Sequence, residues 1–192
     1  MTGYHTQAQT ERAVQERLSG MPLDFDSMMA VSNIYRASTA IRHHLEDSVL
    51  RTANLTWTGF VVLWVLWVWG DLEARHVAAE AGISKGTLTG VIKTLQTRGL
   101  VERNGDPQDG RVVRLRLARA GDRLMHRLFP EFNREEAFIA EALGVTDRRR
   151  LARNLRDLVH HVEEHGEARR TELRGDAPPV RRRGGRVRAA EA

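Results

Sequence analysis

The segment ISKGTLTGVIKTLQTRGL, residues 83–100, combines hydroxyl, basic and glycine residues at a spacing that suits one kind of chemistry. Its large apolar residues recur three and four positions apart from Leu88 to Leu95, which predicts a helix with one buried face. Threonine and lysine side chains donate hydrogen bonds to phosphates and base edges, and glycine keeps a helix slim enough to enter the major groove of double-stranded DNA. The residues predicted on the outer face of this helix, or at its N-terminal end, are Ser84, Lys85, Gly86, Thr87, Thr89, Gly90 and Lys93.

The next segment, NGDPQDGRVVRLRL at residues 104–117, places turn-forming residues in front of alternating basic and apolar residues. Alternation with period two predicts a β-strand, and with the strand before the turn it predicts a hairpin. Asp109 and Arg111 are two positions apart, so in an extended chain they point to the same side, where the carboxylate fixes the direction of the guanidinium. An ordinary hairpin does not require this pair, which therefore indicates a loop that carries an arginine to a partner.

Positive charge is concentrated in two parts of the chain. Residues 84–119 and residues 169–192 each contain 8 Lys or Arg against 3 Asp or Glu, whereas residues 1–83 and 120–168 are net negative. A localised basic surface is typical of proteins that bind nucleic acids. The alternative at this point is a solvated basic face without a partner.

Helical periodicity predicts three helices before residue 83. A long amphipathic helix is expected over residues 26–50. A second helix begins after Thr56, which acts as its N-cap, and Gly70 ends it. A third, short helix stops at Gly82, so two short helices meet at a glycine-containing turn. This pair of helices followed by a hairpin describes a winged helix-turn-helix.

The hairpin is followed by a long helical pattern, in which Pro130 predicts a kink or a break, and by a last helix that begins at Thr146. The tail at residues 169–192 has paired prolines, paired glycines and almost no large apolar residue, so it is predicted to be disordered. Residues 1–22 are predicted to be flexible or marginally helical. The folded domain is therefore expected over residues 23–168.

Three stretches of the chain, taken in order, resemble the MarR family of multiple antibiotic resistance regulators. They are LTWTGFVVLWVL, VAAEAGISKGTLTGVIKTLQTRGLVERNGDPQDGR and VRLRLARAG, and the resemblance extends over residues 23–165. It implies a mainly α fold with a small β-hairpin wing, in which residues 55–118 bind DNA and the helices in residues 23–50 and 119–168 form a dimerisation region. It also implies a homodimer that regulates transcription from a pseudo-palindromic operator, as a repressor released by a small-molecule effector.

The wing of such proteins carries an Asp-x-Arg motif, which maps here onto Asp109 and Arg111. The resemblance implies that Arg111 reaches the minor groove and that Asp109 orients it. Arg98, at the C-terminal end of the predicted DNA-reading helix, is added to the expected DNA contacts. Two positions depart from the family pattern. Gly110 stands where a basic residue is usual, and Ala118 stands where a threonine caps the next helix, a cap whose loss costs about 1 kcal/mol.

Four aromatic residues share one face of the predicted second helix and allow two interpretations. Such a stripe either lines a pocket for a small aromatic or phenolic effector or fills the core, and the second use is the commoner one. The family resemblance makes an effector expected without identifying it. The four residues are Trp57, Phe60, Trp64 and Trp67.

Several other functions are not expected. The chain has no cysteine, and His161 and His165, four positions apart, have no clear third ligand, so no metal site and no cofactor are predicted. No nucleophile–base pattern or phosphate-binding loop indicates an enzyme. The longest apolar run, residues 60–69, is shorter than the ~20 residues that a membrane helix needs. The first twenty residues are polar, which predicts a cytoplasmic protein.

Two further functions remain open at this point. One is an architectural protein that binds DNA with low specificity through the wing and the basic tail. The other is a winged-helix module that serves protein contacts alone.

Overall fold

The computed structural model describes residues 5–105 and 112–175 and divides into two units, Met1–Ile139 and Ala140–Ala192. The second unit contains α7 (Val145–Arg174), and none of the described helices combines the length and hydrophobicity required to cross a lipid bilayer. The elements before α7 are the helices α1 (Gln7–Leu18), α2 (Phe25–Leu45), α3 (Trp57–Trp69), α4 (Ala74–Glu80), α5 (Lys85–Thr97) and α6 (Arg119–Ala140), and the strands β1 (Leu72–Glu73), β2 (Val101–Gly105) and β3 (Val113–Leu117).

The helix α2 begins at Asp24, whose carboxylate accepts hydrogen bonds from the hydroxyl and the amide of Ser27. These bonds lower the pKa of the Asp24 carboxyl, because they stabilise its charged form. The helix passes directly into a π-helical turn, Glu46–Leu50, in which Val49 and Leu50 are buried. The predicted helix is therefore confirmed in extent, but its last turn is π-helical.

Local signals in the sequence define the ends of α3 and α5. Thr56 Oγ1 accepts the amide of Gly59 at 3.1 Å and caps α3 as predicted. Gly82 and Gly99 lie before and after α5 with φ angles of 64° and 65°. Residues with a side chain rarely adopt this left-handed backbone conformation, so glycine allows the chain to turn sharply at both ends of α5.

The three strands form one antiparallel sheet in the order β1-β3-β2. Val101 of β2 lies opposite Leu117 of β3, and Leu72 of β1 lies opposite the buried Leu115. The predicted hairpin is present, but the sequence did not predict β1. Two residues are too few to show a period, and β1 exists only because β3 offers it a free edge.

A close backbone contact joins the end of α5 to the start of α6. The carbonyl of Leu100 accepts the amide of Ala118 at 3.0 Å. A Cβ atom at Gly121 would lie 2.1 Å from the same carbonyl oxygen, a distance that no side chain tolerates. Gly121 is therefore required by packing.

The aromatic stripe of α3 packs against α6. Phe60 stacks on Phe132 with ring centroids 4.3 Å apart, and Trp64 stacks on Phe129 at 4.7 Å. Trp57 and Trp67 contact the same two rings of α6 and are partly buried against the core. All four residues predicted to line an effector pocket thus take part in core packing.

The structure bears on two predictions about the later helices. Of the kink or break predicted at Pro130, the break does not occur, because the buried residues Leu128 and Phe132 anchor α6 on both sides of it, and such packing overrides propensity. The α7 helix continues past residue 168 to Arg174. Glu167 accepts hydrogen bonds from Arg170 and Arg174, and side-chain pairs of this kind support a helix in a segment with few apolar residues.

Candidate nucleic-acid interface

The residues predicted on the outer face of α5, from Ser84 to Lys93, are all exposed. The opposite face holds the helix to the core through the buried side chains of Leu88, Ile92 and Leu95. The ammonium groups of Lys85 and Lys93 form no ion pair with any residue that the structure describes. The exposed face of α5 therefore offers two positive charges to a partner.

The hydroxyl groups at the start of α5 form hydrogen bonds within the helix itself. Ser84 Oγ accepts the amide of Thr87 at 3.1 Å, which makes it the predicted N-cap, and it lies 2.9 Å from the Thr87 hydroxyl. The Thr89 hydroxyl donates to the carbonyl of Lys85 at 2.9 Å. A threonine bonded in this way still presents acceptor lone pairs and a methyl group, which complement exocyclic amino groups and thymine methyls in the major groove.

The fold does not require the two glycines on this face. A Cβ at Gly90 would meet no atom within 4 Å, and a Cβ at Gly86 would meet only Ser84 Oγ, at 3.8 Å. Neither glycine has a positive φ. Glycine within a helix costs about 0.5–1 kcal/mol relative to alanine, so α5 carries two destabilising residues where the protein has room for a side chain. This pattern fits a partner that approaches the backbone of α5 closely.

A groove of about 540 Å³ lies between α5 and the sheet. Its lining includes the apolar residues Leu88 of α5 and Leu115 of β3 together with Lys85 and Lys93. Arg75 of α4 and Arg103 of β2 also line it. Sequence reasoning did not select these two arginines, since they lie on other elements and only the tertiary structure brings them beside α5. Glu73 lines the groove as well and pairs with Arg75, Nε to Oε2 at 2.7 Å, so the charge of this arginine is partly neutralised there.

Ion pairs within the protein neutralise other arginines of the basic segment. Arg114 Nε donates to Asp71 Oδ1 at 3.0 Å, and Arg116 Nε donates to Glu102 Oε2 at 2.8 Å. The first pair joins β3 to the loop before β1, and the second joins β3 to β2. These arginines therefore orient the sheet, whereas the lysines of α5 remain available.

The remaining predicted DNA contacts are Arg98, Asp109 and Arg111. The guanidinium of Arg98 donates to the carbonyls of Asn54 and Ala53, at 2.6 and 2.9 Å. Asp109 and Arg111 lie outside the described residues. Among the residues that are described, no group of three or more His, Asp or Glu side chains is placed to hold a metal ion.

Comparison with known proteins shows the family to which this chain belongs. The model of the MarR family matches residues 55–113. The HTH-type transcriptional regulator YwaE of Bacillus subtilis is 33% identical over 155 residues, which cover 79% of this chain and 91% of YwaE. The chain belongs to the MarR family.

Solved structures agree with the fold of this MarR family protein. BpsR of Bordetella bronchiseptica, whose DNA binding is regulated by 6-hydroxynicotinic acid, matches with a TM-score of 0.64 and 24% identity over 68% of this chain and 98% of BpsR. PcaV of Streptomyces coelicolor, in complex with its natural ligand, matches with a TM-score of 0.60 and 25% identity over 74% of this chain and 94% of PcaV.

Family membership confirms the resemblance noted in the sequence, and the helical architecture with its small antiparallel sheet confirms the expected winged-helix fold. This MarR family protein is a DNA-binding transcription regulator. Its curated relatives are transcriptional regulators and not enzymes.

We expect Gly90→Ala to stabilise the protein and to weaken DNA binding at the same time. Alanine removes the helix penalty and should raise the free energy of unfolding in urea by about 0.5–1 kcal/mol. The added methyl group keeps DNA away from the helix backbone and should lower the affinity severalfold, measured by fluorescence anisotropy on a duplex that the unmodified protein selects from a random pool.

The matched control is Gly121→Ala, since the Cβ added there meets Leu100 O and should destabilise the fold by about 1–3 kcal/mol or more. If Gly90→Ala binds the selected duplex as well as the unmodified protein does, no partner approaches α5 at this point.

Proposed function

We propose that this protein is a cytoplasmic homodimer that represses transcription from a pseudo-palindromic operator, with one α5 helix in each of two successive major grooves. The observation that carries the proposal is the exposed face of α5. It combines glycines that the fold does not require with lysines that have no ion-pair partner among the described residues. The residues proposed to contact the major groove are Ser84, Lys85, Gly86, Thr87, Thr89, Gly90 and Lys93.

Arg111 is proposed to enter the minor groove, with its guanidinium oriented by Asp109. The family motif supports these roles, and so does the sheet that carries the loop. Gly105 pairs with Val113, so the loop between them begins and ends side by side, and Val113 lines the groove next to α5. Arg98 is left out of the proposed DNA contacts because its guanidinium already binds two carbonyl groups.

The apolar surface of α7 supports the homodimer. This helix has no buried residue within the chain. Leu158, Val159 and Val162 share one face and are 46%, 58% and 60% exposed. A second copy of the chain would cover such a face by symmetry, and two-fold symmetry in the protein requires two-fold symmetry in the operator.

Release by an aromatic effector is the remaining part of the proposal. Trp57, Trp64 and Trp67 are only partly buried, so their rings offer stacking surface to a small aromatic molecule beside the core. The regulation of BpsR by 6-hydroxynicotinic acid supports a ligand of this class, and the complex of PcaV with its natural ligand supports a ligand-binding site in a protein of this fold. The effector would act by changing the spacing of the two α5 helices, which must match one DNA turn of about 34 Å.

We expect the unmodified protein to prefer the selected duplex over a random duplex by at least ~10³-fold at physiological salt. Lys93→Ala and Arg111→Ala should each weaken binding, and Lys93→Ala should reduce the slope of log affinity against log salt by about one, as for a lost phosphate contact. Arg127 is an exposed arginine on α6 outside the groove, and Arg127→Ala is the control. This substitution should change neither the affinity nor its dependence on salt. A ratio of selected to random affinity near unity would favour the architectural protein. Unchanged affinities in both variants would contradict the contacts proposed for Lys93 and Arg111, and no binding to any duplex would favour the protein-interaction module.

The dimer is tested by the double substitution Leu158→Glu and Val162→Glu. Two carboxylates on the apolar face of α7 cannot be buried without a large desolvation cost, so sedimentation velocity should show a monomer where the unmodified protein is a dimer. Arg153→Glu changes charge on the opposite side of the same helix and should remain dimeric. A dimer that survives the double substitution would place the interface elsewhere.

The effector is tested with 6-hydroxynicotinic acid as the probe. All four tryptophans lie on α3, so tryptophan fluorescence reports on the proposed binding region. We expect a saturable change in this fluorescence together with release of the selected duplex, and no effect from cyclohexanecarboxylic acid, which has the carboxylate but no aromatic ring. If millimolar 6-hydroxynicotinic acid neither changes the fluorescence nor releases DNA, this compound is excluded as a ligand of the stripe.

A further inference from the structure

Arg98 lies at the C-terminal end of α5 and joins it to a distant part of the chain. Its two terminal nitrogens donate to two successive carbonyls, to Asn54 O at 2.6 Å and to Ala53 O at 2.9 Å. Both acceptors belong to residues 50–57, which run from the last residue of the π-helical turn after α2 to the first residue of α3 and which we name the α2–α3 corner. Arg98 is thus a direct link between this corner and the end of α5.

The corner is itself tightly constrained. Asn54 has a φ of 51°, and the amide of Leu55 donates back to the carbonyl of Leu50 at 2.9 Å. Glu46, in the π-helical turn that follows α2, accepts the amide of Trp57 at 3.0 Å and so holds the first residue of α3. Glu46 and Arg98 therefore bind the same short corner from the end of α2 and from the end of α5.

Arginine suits this position for a geometric reason. A guanidinium has a planar fork of donors that spans two neighbouring oxygens, whereas a lysine ammonium is a point charge on a flexible stem. Hydrogen bonds from a charged donor are also stronger than neutral ones. Lysine at this position keeps the charge but loses the paired geometry.

We propose that Arg98 is a positioning residue that sets the orientation of α5 against the α2–α3 corner, and that it is not a DNA contact. Through Glu46 and the corner, the end of α2 then takes part in placing α5 in the major groove. This inference rests on the proposed function, in which α5 reads DNA, and it adds the element that fixes the C-terminal end of that helix.

The substitutions Arg98→Lys and Arg98→Ala in the full chain separate the effect of the positive charge at residue 98 from the effect of its paired hydrogen bonds. If Arg98 positions α5, both variants lose about tenfold affinity for the selected duplex, change by less than about twofold on a random duplex, and keep the salt slope of the unmodified protein. Lys93→Ala is the matched variant for a lost phosphate contact and loses about one unit of that slope. Two results together would show a phosphate contact and overturn the inference. Arg98→Lys would bind the selected duplex with full affinity, and Arg98→Ala would lose about one unit of the slope of log affinity against log salt.

A second readout does not involve DNA. Hydrogen exchange of the free protein, well below its unfolding temperature, should be faster in Arg98→Lys at residues 53–57 and 98–100 and unchanged in α6. Unchanged exchange at the corner would overturn the inference even if DNA binding were altered. If the unmodified protein shows no preference for any duplex, the proposed function fails, and the exchange experiment still decides whether Arg98 couples α5 to the corner.

Discussion

The backbone of Leu100 joins the end of α5, the hairpin and the start of α6. Its amide closes the end of α5 by donating to the carbonyl of Leu95 at 2.9 Å, and its carbonyl accepts the amide of Ala118, directly after β3. Gly121 lets α6 approach this carbonyl more closely than any side chain would allow. Because Val101 then pairs with Leu117, one residue fixes the end of α5, the register of the hairpin and the start of α6. The groove between α5 and the sheet follows from this shared anchor.

The charges of the basic segment divide into two groups with different consequences. Arg114 and Arg116 pair with Asp71 and Glu102, and pairs this exposed contribute little stability because solvent screens them. Their effect is to orient strands and to remove positive charge from the sheet. The lysines of α5 keep their charge for a partner. The net positive charge counted along the chain therefore overstates the positive charge that the folded protein presents to a partner. It also does not show which element carries the available charge.

The glycines of this protein illustrate a conflict between stability and function. Gly82, Gly99 and Gly121 satisfy demands of the backbone or of close packing, so alanine there would strain the fold. Gly86 and Gly90 satisfy no such demand and weaken α5. Positions at which a sequence departs from local stability without structural benefit are expected at functional sites. The contrast is visible only when the space around each glycine is known.

The sequence by itself determined the parts of this protein that depend on neighbours along the chain. Helix periodicity and the caps at Thr56 and Ser84 are local, and they were sufficient for the order of elements and for the outer face of α5. Contacts between distant segments were decided by the tertiary structure: β1 exists through pairing with β3, Pro130 is accommodated because α6 is anchored on both sides, and Arg75 and Arg103 meet α5 only across the groove. Arg98 shows the limit most clearly. Its position at the end of a basic helix predicts a DNA contact, whereas the proposed positioning role depends on carbonyls that lie more than forty residues earlier in the chain. No local pattern in the sequence brings such groups together, since the burial of a shared core determines which distant segments meet.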